Sequence, residues 1–598
     1  MQPYPKDGEQ NALTCLSTMS LLQFQLQEEA GNGWPLACIP RVYKPELNAQ
    51  NEADGEVDVN EDTNVPVQHA FPSIEVPANV VPGSRIPFPE LYFSVFADQE
   101  IESVPTTSNI ASCIIRDAIL DTMNILDFNR NVAAKLMNEI DCFWAPDTFI
   151  KRATQFDRLK EVPEGKTTWK PEDIVVDSIF SQIFQLPMPE HRLVYYHSLV
   201  TESCRISPGA IAPSLGRAIR FLYRNVDVMD MELRYRFQDW FAHHLSNFEF
   251  RWKWTEWLPE VDEPDIAPKK AFIIGTLDKE IRLGFSKRVR DTLPEPFHPL
   301  VPEGKDREIP PYKYRDDKTP YAEEGREVLA LLKKKAPDEE IQPVLDRVHE
   351  QATERGVEDA LVPSIDIYMT AICSIGAKSL SHVLATTDRC KDRLLDAVRQ
   401  SEAARRQIIT AVFDFWADHP GTAVNIVDKL LNYSIVTPMS VITWSLHDRL
   451  DRGKALAAGQ TYELVATTMH KVTTRVRQVK NERENLSIPF EQRKQLDEAL
   501  PAEREGMRAL FQSIEDYVAP VASGSQDEMV ERYEGDEQEM GLIKDWGERW
   551  LKVWRRKAAV EEAVVGEGAV GELQDPMEEM PQGDGFEAAV PVEMDVAA

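Results

Sequence analysis

From about residue 88 onward, apolar residues recur every third or fourth position. The stretch MELRYRFQDWFAHHLSNF shows it best. Phe237, Trp240, Phe241, His244, Leu245 and Phe248 fall at i, i+3, i+4, i+7, i+8 and i+11. That spacing lines one side of a helix and predicts an amphipathic helix running through Phe248. The period then changes. In SNFEFRWKW, Phe248, Phe250, Trp252 and Trp254 take every second position, with Glu249, Arg251 and Lys253 between them. Aromatics interleaved with cations can stack bases and pair phosphates. They also suit a buried corner, where rings lock a turn against the core and the cations need only reach water. The incoming helix carries Phe248 on its apolar side, which favours the corner.

The same helical period organises most of the chain. SNIASCIIRDAILDTMNIL opens on good N-cap residues and keeps Ile110, Cys113, Ile114, Ala118 and Met123 mostly to one side. PEDIVVDSIFSQIFQLP, PEHRLVYYHSLVTESCRI and PGAIAPSLGRAIRFLYRNV follow, separated by short Pro or Gly breaks. Successive helices with short breaks predict antiparallel hairpins. A Pro-rich charged connector, 306–325, separates this block (86–305) from a second helical block (326–560). Within the second block, Tyr462, Val465, Met469, Val472, Val476 and Val479 form a short heptad seam. Met507, Leu510, Phe511, Ile514 and Val518 predict its return helix, giving a hairpin near 460–518. A last helix places Trp546, Trp550, Val553 and Trp554 on one side. Residues 1–44 read as the remnant of another helical domain, 45–85 as an acidic Pro-rich linker, and 561–598 as an acidic disordered tail. The predicted fold class is all-α: a HEAT-like helical-hairpin superhelix with two complete helical-repeat domains.

Charge narrows the function classes. The 598 residues carry a net charge of −33. Residues 52–62 and 561–598 hold six and eleven acids with no base, and so supply about half of it. A strongly acidic chain does not suit broad nucleic-acid binding, although a local basic patch remains compatible with it. No apolar run approaches the ~20 residues of a membrane span, and the N-terminus lacks the pattern of a secretory signal. A soluble, intracellular protein with no membrane partner is expected. The seven cysteines form no C-x-x-C and match no zinc or disulfide framework, so buried reduced thiols are expected.

No motif for chemistry appears. There is no phosphate-cradling Gly-Lys loop, no H-E-x-x-H and no nucleophile elbow. His243 and His244 are adjacent, so on a helix they point about 100° apart and cannot share a metal. His244 sits on the apolar stripe and reads as a hydrogen-bonded core histidine. Asp414 and Asp418 read as the solvated end of a helix rather than an acid–base pair. No catalytic residue, cofactor, metal or small-molecule substrate is expected. Trp546, Trp550 and Trp554 read as core. Tyr312 and Tyr314, in the connector, and Arg251 and Lys253, in the alternating stretch, are candidate contacts for a partner or RNA. For the two tyrosines, pinning the connector to a helix is the competing reading.

The stretch WFAHHLSNFEFRWKWTEW, Trp240 to Trp257, resembles the signature of the large subunit of the nuclear cap-binding complex. Its residues Trp240, His243, His244, Asn247, Phe248, Phe250, Trp252, Trp254 and Trp257 form the structural signature. Further matches run in the same order: PGSRIPFPELYFSVF at 82–96, IFSQIFQLPMP at 179–189, ISPGAIAPSLGRAIRFLY at 206–223, IRLGFSKRV at 281–289, GAKSLSHVLA at 376–385 and FDFWADHPGTAVNIVDKLLNYSIV at 413–436. The resemblance implies three helical domains like the middle domain of initiation factor 4G. It implies a small RNA-recognition-motif subunit as partner, which is ordered by the large subunit and itself holds the 7-methylguanosine cap of RNA. It further implies recruitment of splicing, export, 3′-end-processing and surveillance factors, no catalysis, and a nuclear location with shuttling to the cytoplasm. Two departures stand out. Most of the family's first domain, with its basic import signal, is not matched, and the match weakens after 455. Two other classes stay open: direct single-stranded RNA binding, and a translation-initiation scaffold of the 4G type.

Overall fold

The computed structural model describes residues 18–40, 92–524, 537–571 and 573. Every regular element among the described residues is helical. None of their helices is long and apolar enough to cross a membrane. The chain divides into two compact units, Met1–Arg307 and Glu308–Ala598.

The first unit holds α1 (Thr18–Gly31), α2 (Ala111–Ile125), α3 (Arg130–Asn138), α4 (Pro171–Ile183), α5 (Leu193–Ile206), α6 (Pro208–Arg224), α7 (Met231–Asn247), α8 (Pro268–Leu283) and the short α9 (Ser286–Arg290). Proline opens α4, α6 and α8, where its missing N–H costs nothing. From α2 to α5, each helix packs on the next and on the next but one. Stacked helical hairpins build an all-α superhelix in this way. α7 in turn packs along α8. In α1, Leu21 is buried and Gln25 Nε2 donates to Thr107 O (2.7 Å) and Ser112 Oγ (2.9 Å). These bonds tie α1 to the start of α2.

Two helices bury more than their periodicity predicts. On α2, Ile114 and Ala118 are only half-buried, and the innermost line is Ile115, Ile119 and Met123. α4 is buried on every side except Ser181. Its two aspartates are satisfied from elsewhere in the unit. Asp177 accepts from Arg116 and from Val95 N (2.7 Å), and Asp173 accepts two bonds from Arg217 (2.5 and 2.7 Å). A buried carboxylate that lost such a partner would be strongly destabilising.

The second unit holds α10 (Ala322–Lys334), α11 (Asp338–Glu354), α12 (Leu361–Gly376), α13 (Leu380–Arg389), α14 (Lys391–Gln400), α15 (Glu402–Phe415), α16 (Pro420–Asn432), α17 (Pro438–Thr443), α18 (Gly459–Glu484), α19 (Phe490–Ser523) and α20 (Glu537–Val565). α18 and α19 are the hairpin read from the heptad seam. Tyr462, Val465, Met469, Val476 and Val479 are buried, as are all five residues read on the return helix, while Val472 is half-buried. α20 packs along both. Trp546, Trp550 and Trp554 face that core, and Trp550 Nε1 donates to Leu456 O (2.8 Å).

Two sequence boundaries shift. α20 continues past 560, because Glu561 accepts two bonds from Arg477 (2.8 Å each) and Val565 is buried. The connector from Glu308 onward belongs to the second unit. The linker 45–85 and the tail from 574 lie outside the described residues, as do residues 1–17 of the N-terminal remnant. Of the six described cysteines, only Cys142 is exposed. Burial pushes the Cys204 and Cys373 thiols up to about 12, as expected for inert packing groups.

Candidate functional site

α7 carries the alternating stretch into the core of the first unit. Asp230 caps its start, accepting from Glu232 N (2.9 Å). Arg236 is buried on the helix and donates to Ile183 O (3.1 Å), Gln185 O (2.7 Å) and Pro187 O (2.8 Å), the carbonyls that leave α4. α7 ends at Asn247, where Phe248 N and Phe250 N both donate to Leu245 O (2.9 and 2.8 Å). Closing that turn puts Glu249 and Phe250 at φ 60° and 59°. Left-handed backbone costs a non-glycine residue about 1–2 kcal/mol. Phe250 recovers it by burying its ring against Gly284, at the end of α8.

The rings beyond the turn close on one another. Trp257 stacks on Tyr223 (3.8 Å between centroids, planes 10° apart), and Trp254 meets it edge-on (5.4 Å, 87°). Phe241 of α7 lies within 5.5–6.3 Å of Trp252, Trp254 and Trp257. Phe250, Trp254 and Trp257 are 1–2% exposed, while Phe248 and Trp252 are half-buried. A stacking platform needs accessible ring faces, and three of these rings offer none. The alternation is the trace of a corner whose odd-numbered residues point to water.

Those residues are placed as follows. Arg251 and Lys253 are exposed, Arg251 pairing with Glu249 (3.2 Å) and Lys253 with Glu256 (3.3 Å). Glu256 is also gripped by Arg220 (2.7 and 2.9 Å), which holds its carboxyl below the usual range. Arg220 lies over the Trp252 ring at 5.4 Å. Beside the corner is an open recess of about 880 Å³, lined by Arg251 and Trp252, by Phe285 of the α8–α9 turn and by Lys287 and Arg288 of α9. The last three were not singled out in the sequence. The signal was there in GFSKRV, an apolar residue followed by two cations.

The two adjacent histidines go to different places. His243 faces His197 (5.4 Å between centroids), and His244 stacks between Trp240 (5.2 Å) and Phe248 (4.7 Å). His244 Nδ1 is buried with no hydrogen-bond partner, so the hydrogen bond expected of a core histidine is absent at that atom. Burial holds His197 down to about 3 and His244 to about 4, with repulsion from His243 adding to both. His243 is also lowered by burial. Asn247 spans α7 and α5, donating to His243 O (2.9 Å) and accepting from Arg205 (3.3 Å).

Tyr312 and Tyr314 need a correction. As partner contacts they would have to be accessible, yet they are 3% and 2% exposed. Tyr312 OH donates to Gly325 O (2.7 Å), and the Tyr314 ring crosses Gly325, where a Cβ would sit 2.5 Å from it. Tyr314 OH donates to Asp366. They pin the connector to α10. Asp414, at the end of α15, pairs with Arg449 (2.6 Å) at the surface. Among the described residues, no group of three His, Cys, Asp or Glu side chains is arranged to hold a metal ion.

Two family profiles, both described as MIF4G like, match residues 105–295 and 312–563. The chain is 32% identical over 405 residues to the nuclear cap-binding protein subunit 1 of Schizosaccharomyces pombe, an alignment covering 68% of this chain and 50% of that protein. This chain belongs to the family of nuclear cap-binding complex large subunits. Its relatives of the same name include those of Xenopus tropicalis, 29% identical over 320 residues (52% of this chain, 40% of the relative), and Homo sapiens, 28% over 316 (52% and 39%). The chain spans about half, or less, of the length of these relatives. The aromatic corner lies within the first MIF4G-like match, and the connector tyrosines and nearly all of α20 lie within the second.

Proposed function

We propose that the chain is the scaffold subunit of a nuclear cap-binding complex. It binds a small RNA-recognition-motif subunit and orders it into the form that holds the 7-methylguanosine cap. It also recruits RNA-processing, export and surveillance factors, and performs no chemistry of its own. The observation that carries this reading is the pair of MIF4G-like matches together with 32% identity over 405 residues to a protein named for nuclear cap binding. Nuclear residence follows from the same names. The physical design supports it as well: stacked helical hairpins present long surfaces rather than one pocket, which suits a scaffold. Direct single-stranded RNA binding through the alternating stretch is the weaker reading, since Phe250, Trp254 and Trp257 are buried.

The test is co-purification. The chain and the small subunit, mixed at micromolar concentration, should elute as one complex with the mass of a heterodimer. Separate elution of the two would end the proposal.

A further inference from the structure

The recess beside the corner is not used by any role argued so far. Its walls combine three features. Phe285, in the wall, is 71% exposed, and Leu283, two residues before it and just outside the lining, is 53% exposed. Large apolar side chains left this open, side by side on one turn, are a feature of contact surfaces. Lys287 and Arg288 are exposed, and among the described residues neither forms an ion pair; Arg288 instead lies over the Phe250 ring at 5.3 Å. Arg251 adds a third cation from the other wall. The third feature is two carboxylates, Glu249 and Asp291, on the same rim.

We propose that this recess docks a short protein segment of alternating acidic and apolar residues. The inference deepens the scaffold reading, on which it rests, by giving the chemistry of one recruited partner. Acidic side chains would meet Lys287, Arg288 and Arg251, and apolar ones would cover Leu283 and Phe285. Glu249 and Asp291 would accept from the segment's backbone N–H groups. RNA fits less well for two reasons. Rim carboxylates repel phosphates. Successive bases also need successive rings, whereas this recess offers one fully open ring, Phe285, with Trp252 half-buried beneath Arg220. The volume of about 880 Å³ accommodates several side chains.

The experiment measures fluorescence anisotropy on the full chain with three probes. One is a labelled 15-residue peptide alternating Asp or Glu with Leu or Phe. The second is the same peptide with Lys at every acidic position, and the third is a 15-nucleotide oligouridine. The acidic peptide should bind, and the lysine peptide should bind at least tenfold more weakly. Arg251→Glu combined with Lys287→Glu and Arg288→Glu should weaken the acidic peptide at least tenfold, and Phe285→Ala about three- to tenfold. Arg399→Glu, a surface charge in the second unit, should leave it unchanged. These positions are exposed, and unchanged melting curves will establish that the variants fold. No binding of the acidic peptide overturns the proposal, as does equal binding by the charge-reversed chain. Preferential oligouridine binding lost in the same variant would assign the recess to RNA instead. The measurement needs neither cap nor small subunit, so its failure is separate from a failure of the scaffold reading.

Discussion

The chain buries tryptophans beside cations twice, by different means. On α20, Trp546, Trp550 and Trp554 repeat every four residues of an unbroken helix, and helical geometry alone sends them to one side. At the corner, Phe248 to Trp254 repeat every two residues in non-helical backbone. There the burial is decided by the Leu245 carbonyl, two left-handed residues and the rings of α6, α7 and α8. Similar composition can therefore arise from a local rule or from long-range packing, and only the first is visible in periodicity. The corner should accordingly depend more on its surroundings.

The largest expected effects test burial directly. Trp254→Ala in the corner and Trp550→Ala in α20 should each destabilise their unit by about 3–5 kcal/mol, the usual cost of emptying a large aromatic site. Trp550→Ala also leaves the Leu456 carbonyl without its donor. Trp252→Ala should cost clearly less, since its ring is half-buried. Denaturant melts of the three variants check the order, and equal costs for Trp252 and Trp254 would break the account of the corner.

A smaller effect tests how closely the second unit's helices approach. A Cβ at Gly547 of α20 would lie 2.6 Å from Ala522 N on α19. Gly547→Val should therefore cost about 1–3 kcal/mol through overpacking. Gly506, with open space around it on α19, is the contrast. Gly506→Ala should stabilise by about 0.5–1 kcal/mol, because it removes backbone freedom from the unfolded chain. Paired thermal melts measure both.

Acid should act on the corner. His197 and His244 are held to about 3 and about 4 in the folded chain, against an ordinary value near ~6.5 when unfolded. As pH falls below ~6.5 the unfolded chain takes up these protons first, so each group withdraws up to about 1.4 kcal/mol of stability per pH unit. Glu280, buried on α8 and pushed well above its ordinary value, works the other way, because its folded form keeps its proton. The comparison that isolates the histidines is between the parent and His197→Gln with His244→Gln. The variant should lose less stability than the parent between pH 6.5 and 4.5. An identical loss would mean that these rings are not held neutral.

The smallest effect tests backbone strain. Glu249→Gly relieves a left-handed residue at the cost of a freer unfolded chain and the exposed pair with Arg251. The melting temperature should stay within a few degrees or rise. A fall as large as that of Trp252→Ala would show that the Glu249 side chain matters more than its backbone.

Much of this architecture was legible in the residues. Spacing located α7, the α18–α19 hairpin and the tryptophan side of α20, and the helix entering the corner foretold that Phe248 turns inward. The exceptions share a physical cause. α4 is buried nearly all round and α7 buries Arg236, because Asp173, Asp177 and Arg236 are satisfied by groups that are distant in sequence or by carbonyls beyond a turn. Periodicity cannot anticipate such partners. For Tyr312 and Tyr314 the residues alone allowed both a partner contact and a pin to a helix, and it is Gly325, which leaves room for a ring to cross α10, that makes them pins. The recess was missed because its two walls, the turn after α7 and the segment from Phe285 into α9, are apart in sequence.

The central claim is that this chain makes a small partner competent to hold the cap. The direct measurement is the affinity of the small subunit for a capped oligonucleotide, with and without the full chain, against an uncapped control. The account predicts at least a tenfold gain for capped RNA when the chain is present, and little change for uncapped RNA. Unchanged affinity, or an equal gain for both RNAs, would contradict it.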